Sequence, residues 1–319
     1  MPMGRREFLA ATGAAALAGC AGAPGGAGDP IPIVDTHQHL WDLDRFRLPW
    51  LSGRGPLARN HLPSDYLEAF RGTGVARAVY MEVDVAADQK VAEAEYVLGL
   101  CADPSSPTRG AVIGGRPAED GFAAYLDRFK GDPHVKGVRQ VLFQGGALAP
   151  AFVRGIRLLG ERGLCFDLCV PPGGLDDGVK LVDLCPGTRF VVDHCGNADP
   201  KAFMKSPSEK PSHDAAAWRR SMDALASRQN VICKISGIVA RVPKPAWGPE
   251  HLAPIVDACL DAFGPDRAVF GSDWPVCTGG APAAAWISAL REIIRSRPAA
   301  DQRKVLHDTA VAFYGLAAR

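Results

Sequence analysis

The sequence predicts an α/β chain closed as a single-domain (β/α)8 TIM barrel, and three observations lead there. Eight short apolar segments rich in Val and Ile are each followed by a segment of helical length. Strands separated in this way pair in parallel, because each crossover returns the chain to the same edge direction. An open doubly wound sheet usually announces itself with a Gly-rich phosphate turn after the first strand. None stands there, and the glycines from Gly271 to Gly280 lack the G-x-G-x-x-G spacing.

The 319 residues, 47% of them hydrophobic, supply the core of one large domain. With 36 basic against 35 acidic residues the net charge is +1, which leaves no electrostatic footprint for nucleic acid or an acidic membrane surface. A small-molecule substrate is the expected partner, and an oligomer is compatible with the composition. Residues 1–29 differ from the rest. Arg5-Arg6-Glu7-Phe8-Leu9, the uncharged run Ala10 to Ala18 and then Gly19-Cys20 follow the order of a twin-arginine export signal. Leu17-Ala18-Gly19-Cys20 also has the form of a lipobox, in which Cys20 would be acylated; a plain cleaved signal is the other reading. The expected location is the periplasm, free or as a membrane-anchored lipoprotein, with the barrel occupying residues 30–319. The nine cysteines show neither C-x-x-C nor a dense cluster. Cys165 and Cys169, four apart on a strand, would sit ~13 Å from each other, beyond a disulfide's reach. They read as small buried hydrophobes.

In order, the first strand lies within Ile31 to Asp42, and a long Arg-, Pro- and Gly-rich loop runs from Asp42 to Pro63. A helix from Ser64 to Phe70 ends at Gly72-Thr-Gly74, and the second strand is Val75 to Val83. Helix at 88–100, strand at 110–113, helix at 118–130 and strand at 135–142 follow, then helix at 150–162 and strand at 164–170. Helix at 175–184 leads to strand 189–194, helix at 213–227 to strand 230–236, and helix at 249–263 to strand 267–273. Two helices, 281–295 and 301–314, close the chain.

In such a barrel the reactive groups gather at the C-terminal ends of the strands. There the sequence places His37 and His39, two apart and so on one face of the first strand, with Glu82 on the second, Arg139 on the fourth and Asp167 on the fifth. Asp193-His194 ends the sixth, Lys234 and Ser236 lie on the seventh, and Asp273 ends the eighth. Asp35, Asp167, Asp193 and Lys234 taken singly also read as caps or satisfied core groups. The coincidence of three histidines and an aspartate at one end of strands one, six and eight points to chemistry.

The motifs Asp35-Thr-His-Gln-His-Leu-Trp-Asp42, Val191-Val-Asp-His-Cys-Gly196, Val269-Phe-Gly-Ser-Asp-Trp-Pro275 and Ala310-Val-Ala-Phe-Tyr-Gly-Leu316 resemble the amidohydrolase superfamily. Within it they are most similar to the branch of sugar-acid and pyrone-dicarboxylate lactonases. The resemblance implies the barrel and hydrolysis of a lactone. Binuclear members carry a lysine on the fourth strand, where this chain has Arg139, and mononuclear members commonly add a fifth-strand histidine, which Cys-Phe-Asp-Leu-Cys lacks. One divalent ion, zinc by ligand type, held by His37, His39 and Asp273, is therefore the metal expectation, and metal-free action is the alternative.

Opening a lactone needs a water deprotonated, a carbonyl polarised and a leaving oxygen protonated. Asp273 is the expected general base. His194, with His37 and His39 or their metal, would polarise the carbonyl. Arg139 would fork onto a substrate carboxylate or hydroxyls, and Glu82 would accept from hydroxyls. Trp41 and Trp274 would stack on the ring, or else pack at the rim. Two rivals stand beside this reading: a metal-dependent decarboxylase on the same fold, and a non-catalytic envelope protein that binds sugar acids.

Overall fold

The computed structural model describes residues 31–316, except Ser52, Arg54, Ser208 and 243–246. The export signal expected over 1–29, with Arg5, Arg6 and Cys20, lies outside the described residues. No described helix is long and apolar enough to cross a membrane.

Eight strands pair in sequence order, all in parallel: β1 (Ile33–Gln38), β2 (Val75–Met81), β3 (Thr108–Gly114), β4 (Val135–Val141), β5 (Cys165–Cys169), β6 (Arg189–Val192), β7 (Val231–Ile235) and β8 (Ala268–Phe270). The seam between β8 and β1 is closed just beyond the end of β8, where the Asp273 amide donates to His37 O (2.9 Å) and the His39 amide to Trp274 O (2.8 Å). The barrel predicted from the strand–helix period is the barrel observed. Proline opens Pro150–Glu161 and Pro249–Phe263 where the sequence places their starts, and it opens the first helix, Pro63–Ala69, with Leu62 and not Ser64 at the N-cap. Asp214 caps Ala215–Ala226 by accepting from the Ala217 amide at 2.7 Å.

Two elements are shorter than expected. The third helix covers only Phe122–Asp127, because Asp120-Gly121 disfavours helix at its start and the residues after Asp127 continue in three-residue turns up to Gly131. The eighth strand stops at Phe270. A Cβ on Gly271 would lie 2.7 Å from the His37 Cβ, and Asp273 takes a φ of +60°, so the chain leaves the sheet there and turns across the barrel mouth. The eight described cysteines are buried and free.

Val34, Val79, Val112, Val191, Ile232 and Val269, one from each of six strands, form an apolar cluster with Tyr314 and Leu316 from the chain's end. A larger apolar layer lies between the strands and the helices. Within it sits one deliberate polar staple. Asp35, fully buried, accepts from the Ser272 amide (2.7 Å), the Ser272 hydroxyl (2.6 Å), the His37 amide (3.1 Å) and the Tyr66 hydroxyl (2.8 Å). One carboxylate thus ties β1, the first helix and the turn that carries Asp273. Asp35→Ala would strand four buried donors, and we expect it to cost about 3–5 kcal/mol in denaturant unfolding.

Glu93, on the helix Lys90–Ala102, accepts from the Val83 amide and the Tyr80 hydroxyl (2.7 and 3.0 Å). Burial and the nearby Glu82 charge push its carboxyl up to about 7 from the ordinary 4.5. The folded state therefore keeps a proton that the unfolded chain releases, and the stability this lends is lost as pH rises through that window. Glu93→Gln removes the titration, so the Tm of the wild type, relative to the variant, is expected to fall between about pH 5 and pH 8.

Candidate active site

The strand ends converge on a cavity of about 340 Å³ at the C-terminal mouth, and His39, Arg139, His194 and Asp273 all line it. Two strained turns aim the last pair. His194, Cys195, Gly196 and Asn197 follow β6 with φ of +54°, +52°, +67° and +55°, and Asp273 follows β8 at +60°. Three of those four and Asp273 are not glycine, and left-handed backbone costs such residues ~1 kcal/mol or more each. Gly237 is required beside them, since a Cβ there would meet the His194 Nδ1 at 2.3 Å.

His39 places Nδ1 2.9 Å from Met81 O. A carbonyl only accepts, so Nδ1 carries a hydrogen, and Nε2 lies 3.4 Å from Asp273 Oδ1. His37 has Nδ1 3.5 Å from Asp193 Oδ1, while Nε2 stands 3.3 Å from Arg139 Nη1 and 3.8 Å from Asp273 Oδ1. A guanidinium only donates, so Nε2 of His37 is an acceptor. Burial holds His37 well below the usual imidazole range, against the pull of Asp193, and burial also lowers His194. The Nε2 atoms of both His37 and His39 thus face one carboxylate. His194 itself lies with its ring 4.4 Å from that of His37 and Nδ1 2.9 Å from the Ser236 hydroxyl.

Beneath this group the barrel holds charges. Lys234 Nζ reaches Asp167 Oδ2 at 2.6 Å and Asp193 Oδ1 at 3.1 Å, all three fully buried. Burial raises the Asp193 carboxyl, but Lys234 and His37 outweigh it and hold the group well below its ordinary value. Burial pushes Asp167 up to about 7 despite Lys234.

Arg139 is placed otherwise than expected. Its Nε donates to Glu82 Oε1 (2.8 Å) and its Nη2 to Glu82 O (2.6 Å), so the fork predicted for a substrate carboxylate already grips Glu82. Gly114 makes this possible: it lies on β3 between the two, and a Cβ there would sit 3.0 Å from Glu82 Oε2. Glu82, expected to meet substrate hydroxyls, is buried behind the wall and does not line the cavity. Trp274 is likewise buried against His61 and Tyr66, outside the lining, and so packs instead of stacking on a ring. Trp41 does line the cavity. Among the lining residues that the sequence did not assign to the site are Trp50, Asp84, Phe143, Asn197 and Arg241. Arg241 donates to Asn197 O and Oδ1 (2.9 and 2.8 Å), both neutral, leaving its charge toward the cavity. Only the turn-forming Gly196-Asn197 hinted at this corner.

His37, His39 and Asp273 bring three donor atoms within 4.8 Å of one another, and His37, Asp193 and His194 do the same. The first set, two imidazole lone pairs and a carboxylate open to the cavity, fits a divalent ion with free positions. Asp193 is already spent on Lys234, which weakens the second set.

The protein-family comparison matches the model described as Amidohydrolase over residues 34–316. The chain is 30% identical over 296 residues to an L-fucono-1,5-lactonase of Burkholderia multivorans, covering 89% of this chain and 96% of that one. It is 24% identical to an L-rhamnono-gamma-lactonase of Scheffersomyces stipitis, covering 77% and 85%. Among solved structures, an amidohydrolase of Burkholderia multivorans with bound zinc superposes with a TM-score of 0.79 at 26% identity, over 90% of this chain and 100% of that one. With the barrel, the histidine pair on β1 and the aspartate beyond β8 all in place, this chain belongs to the amidohydrolase family.

Proposed function

We propose that the protein opens the lactone of a sugar acid or a related carboxylated ring by attack of water, with Asp273 as general base. Its membership of the family and its likeness to two sugar-acid lactonases make it a hydrolase of lactone ester bonds acting on a small molecule. The single observation that carries the mechanism is the position of Asp273, on the cavity wall beside two imidazoles whose Nε2 atoms face it at 3.4 and 3.8 Å.

In this reading, Asp273 takes a proton from water and returns it to the ring oxygen as the ester bond breaks. The Met81 carbonyl holds His39, and Asp193 with Arg139 holds His37, so neither ring turns away during the step. His194, braced by Ser236, lies where it can donate to a developing oxyanion. Arg139, held by Glu82, keeps a fixed positive charge in the site, and Arg241, without a carboxylate partner among the described residues, offers a cation to a substrate carboxylate. His37, His39 and Asp273 would hold one divalent ion, zinc by ligand type, and such an ion supplies carbonyl polarisation when bound. We place the enzyme outside the cytoplasm on the strength of Arg5-Arg6 and Cys20.

Asp273→Asn is expected to lower kcat on a sugar δ-lactone ~100-fold or more, with KM changed less than about threefold. Near wild-type kcat in that variant, measured by acid release with a pH indicator, would remove Asp273 from the role of base. Release of carbon dioxide from an aromatic acid in place of lactone opening would favour the decarboxylase.

A further inference from the structure

The cavity has two chemical halves. Its polar lining includes His39, Arg139, His194 and Asp273 as well as Asp84, Asn197 and Arg241, whereas Trp41, Trp50, Val83, Val141 and Phe143 line it with apolar surface. Two members of that apolar wall are large side chains left open to solvent, Trp50 at 45% and Phe143 at 53%. Isolated exposed apolar residues are ordinary, but two of them on the rim of one cavity, continuous with a buried indole, mark a surface that awaits an apolar group.

The wall is also rigid and has little left to offer a hydroxyl. Trp50 donates its indole N–H to Val83 O at 2.7 Å and stands edge-on to Trp41, with ring centroids 5.8 Å apart at 89°. Trp41 donates its own indole N–H to Arg59 O at 2.8 Å. Both indoles have therefore spent their only donors, and what they turn to the cavity is ring carbon. A hydroxyl laid against these ring carbons would lose water without a donor or acceptor from the indoles in return, a cost that an apolar group avoids.

We propose that Trp50 and Phe143 form an apolar subsite that selects lactones carrying an aromatic or branched aliphatic substituent on the ring carbon remote from the carbonyl, in preference to fully hydroxylated lactones. The polar lining receives the ester, and the rim receives the substituent. This rests on the lactone-opening reading, and within it moves the preferred substrate from a fully hydroxylated sugar acid to a related ring that carries an apolar substituent. Because the aromatic wall is held in place before substrate arrives, little ordering is needed on binding, and the gain appears chiefly in KM.

The test compares a phenyl-substituted δ-lactone with a fully hydroxylated sugar δ-lactone, using the full chain and the variants Trp50→Ala and Phe143→Ala, both at exposed positions. The wild type is expected to favour the phenyl lactone in kcat/KM, and each variant to lower the phenyl-to-hydroxylated ratio by about tenfold, mostly through KM. The corresponding lactams, which resist hydrolysis, are titrated by calorimetry, and the same ratio of affinities is expected. Lactone opening with a ratio that neither variant changes would overturn the subsite and leave the lactonase reading standing. No opening of either lactone, with phenyl-lactam binding that depends on Trp50 and Phe143, would overturn the lactonase reading and sustain the subsite. Tighter binding of the hydroxylated lactam would overturn the subsite outright.

Discussion

Everything at the mouth of this barrel depends on how the buried carboxylate of Asp193 is neutralised. It stands 3.1 Å from Lys234, 3.5 Å from His37 and 3.7 Å from Arg139, with no exposure to water. A lone carboxylate in that position would be prohibitive, and even a paired one gains little net stability over an apolar replacement. What it does gain is definition. Three strands contribute the three cations or donors, so the carboxylate fixes their spacing, and through Nδ1 of His37 it decides which nitrogen of that ring faces Asp273. The other half of the network works the same way on the opposite side, where Glu82 fixes Arg139 and Lys90 stands 3.9 Å from Glu82 Oε2.

This charged layer is workable because of what surrounds it. The apolar cluster around Val34, Val112 and Val269, closed by Tyr314 and Leu316, lies within the same sheet and provides the dry surroundings in which these pairings hold firm. The left-handed turns after β6 and β8 store strain, and Asp35 helps to hold the second of them by taking four donors at once. Rigidity is thus concentrated at the two places where a displacement of side chains would spoil proton transfer.

The barrel could be read from sequence because alternating strand and helix periods are local signals, and the histidine pair because a two-residue spacing on a strand places both rings together. The partner of Arg139 could not. Glu82 and Arg139 lie on strands that are not neighbours, and they meet only because Gly114 on the strand between them lacks a side chain, a relation that no local pattern carries. For the same reason the sequence assigned Glu82 to the substrate and left Trp274 open between stacking and packing, when neighbours distant in the chain hold both. Asn197 escaped because it lies on the left-handed turn after β6, and Arg241 because it ends a single 3-10 turn after β7, too short to carry a period. The shortened third helix shows the reverse case, a local signal in Asp120-Gly121 that outweighed an apolar pattern.

The histidine pair of β1 takes its meaning from the tautomers that its neighbours impose. Met81 O fixes a hydrogen of His39 on Nδ1, and Asp193 with Arg139 does the same for His37, so both Nε2 atoms are turned toward Asp273. With all three lone pairs free, such a cluster repels unless a positive species lies among them. A proton meets that need, and so does a divalent ion, and the two compete for the same lone pairs. Metal affinity at such a site must fall as pH falls, because each bound proton removes a ligand. Arg139, with Nη1 at 3.3 Å from His37 Nε2, bears on the competition from outside: its fixed charge eases the crowding of lone pairs and disfavours a second cation. One ion fits beside it on the His39 and Asp273 side, whereas a two-metal centre would have to displace the guanidinium that Glu82 holds.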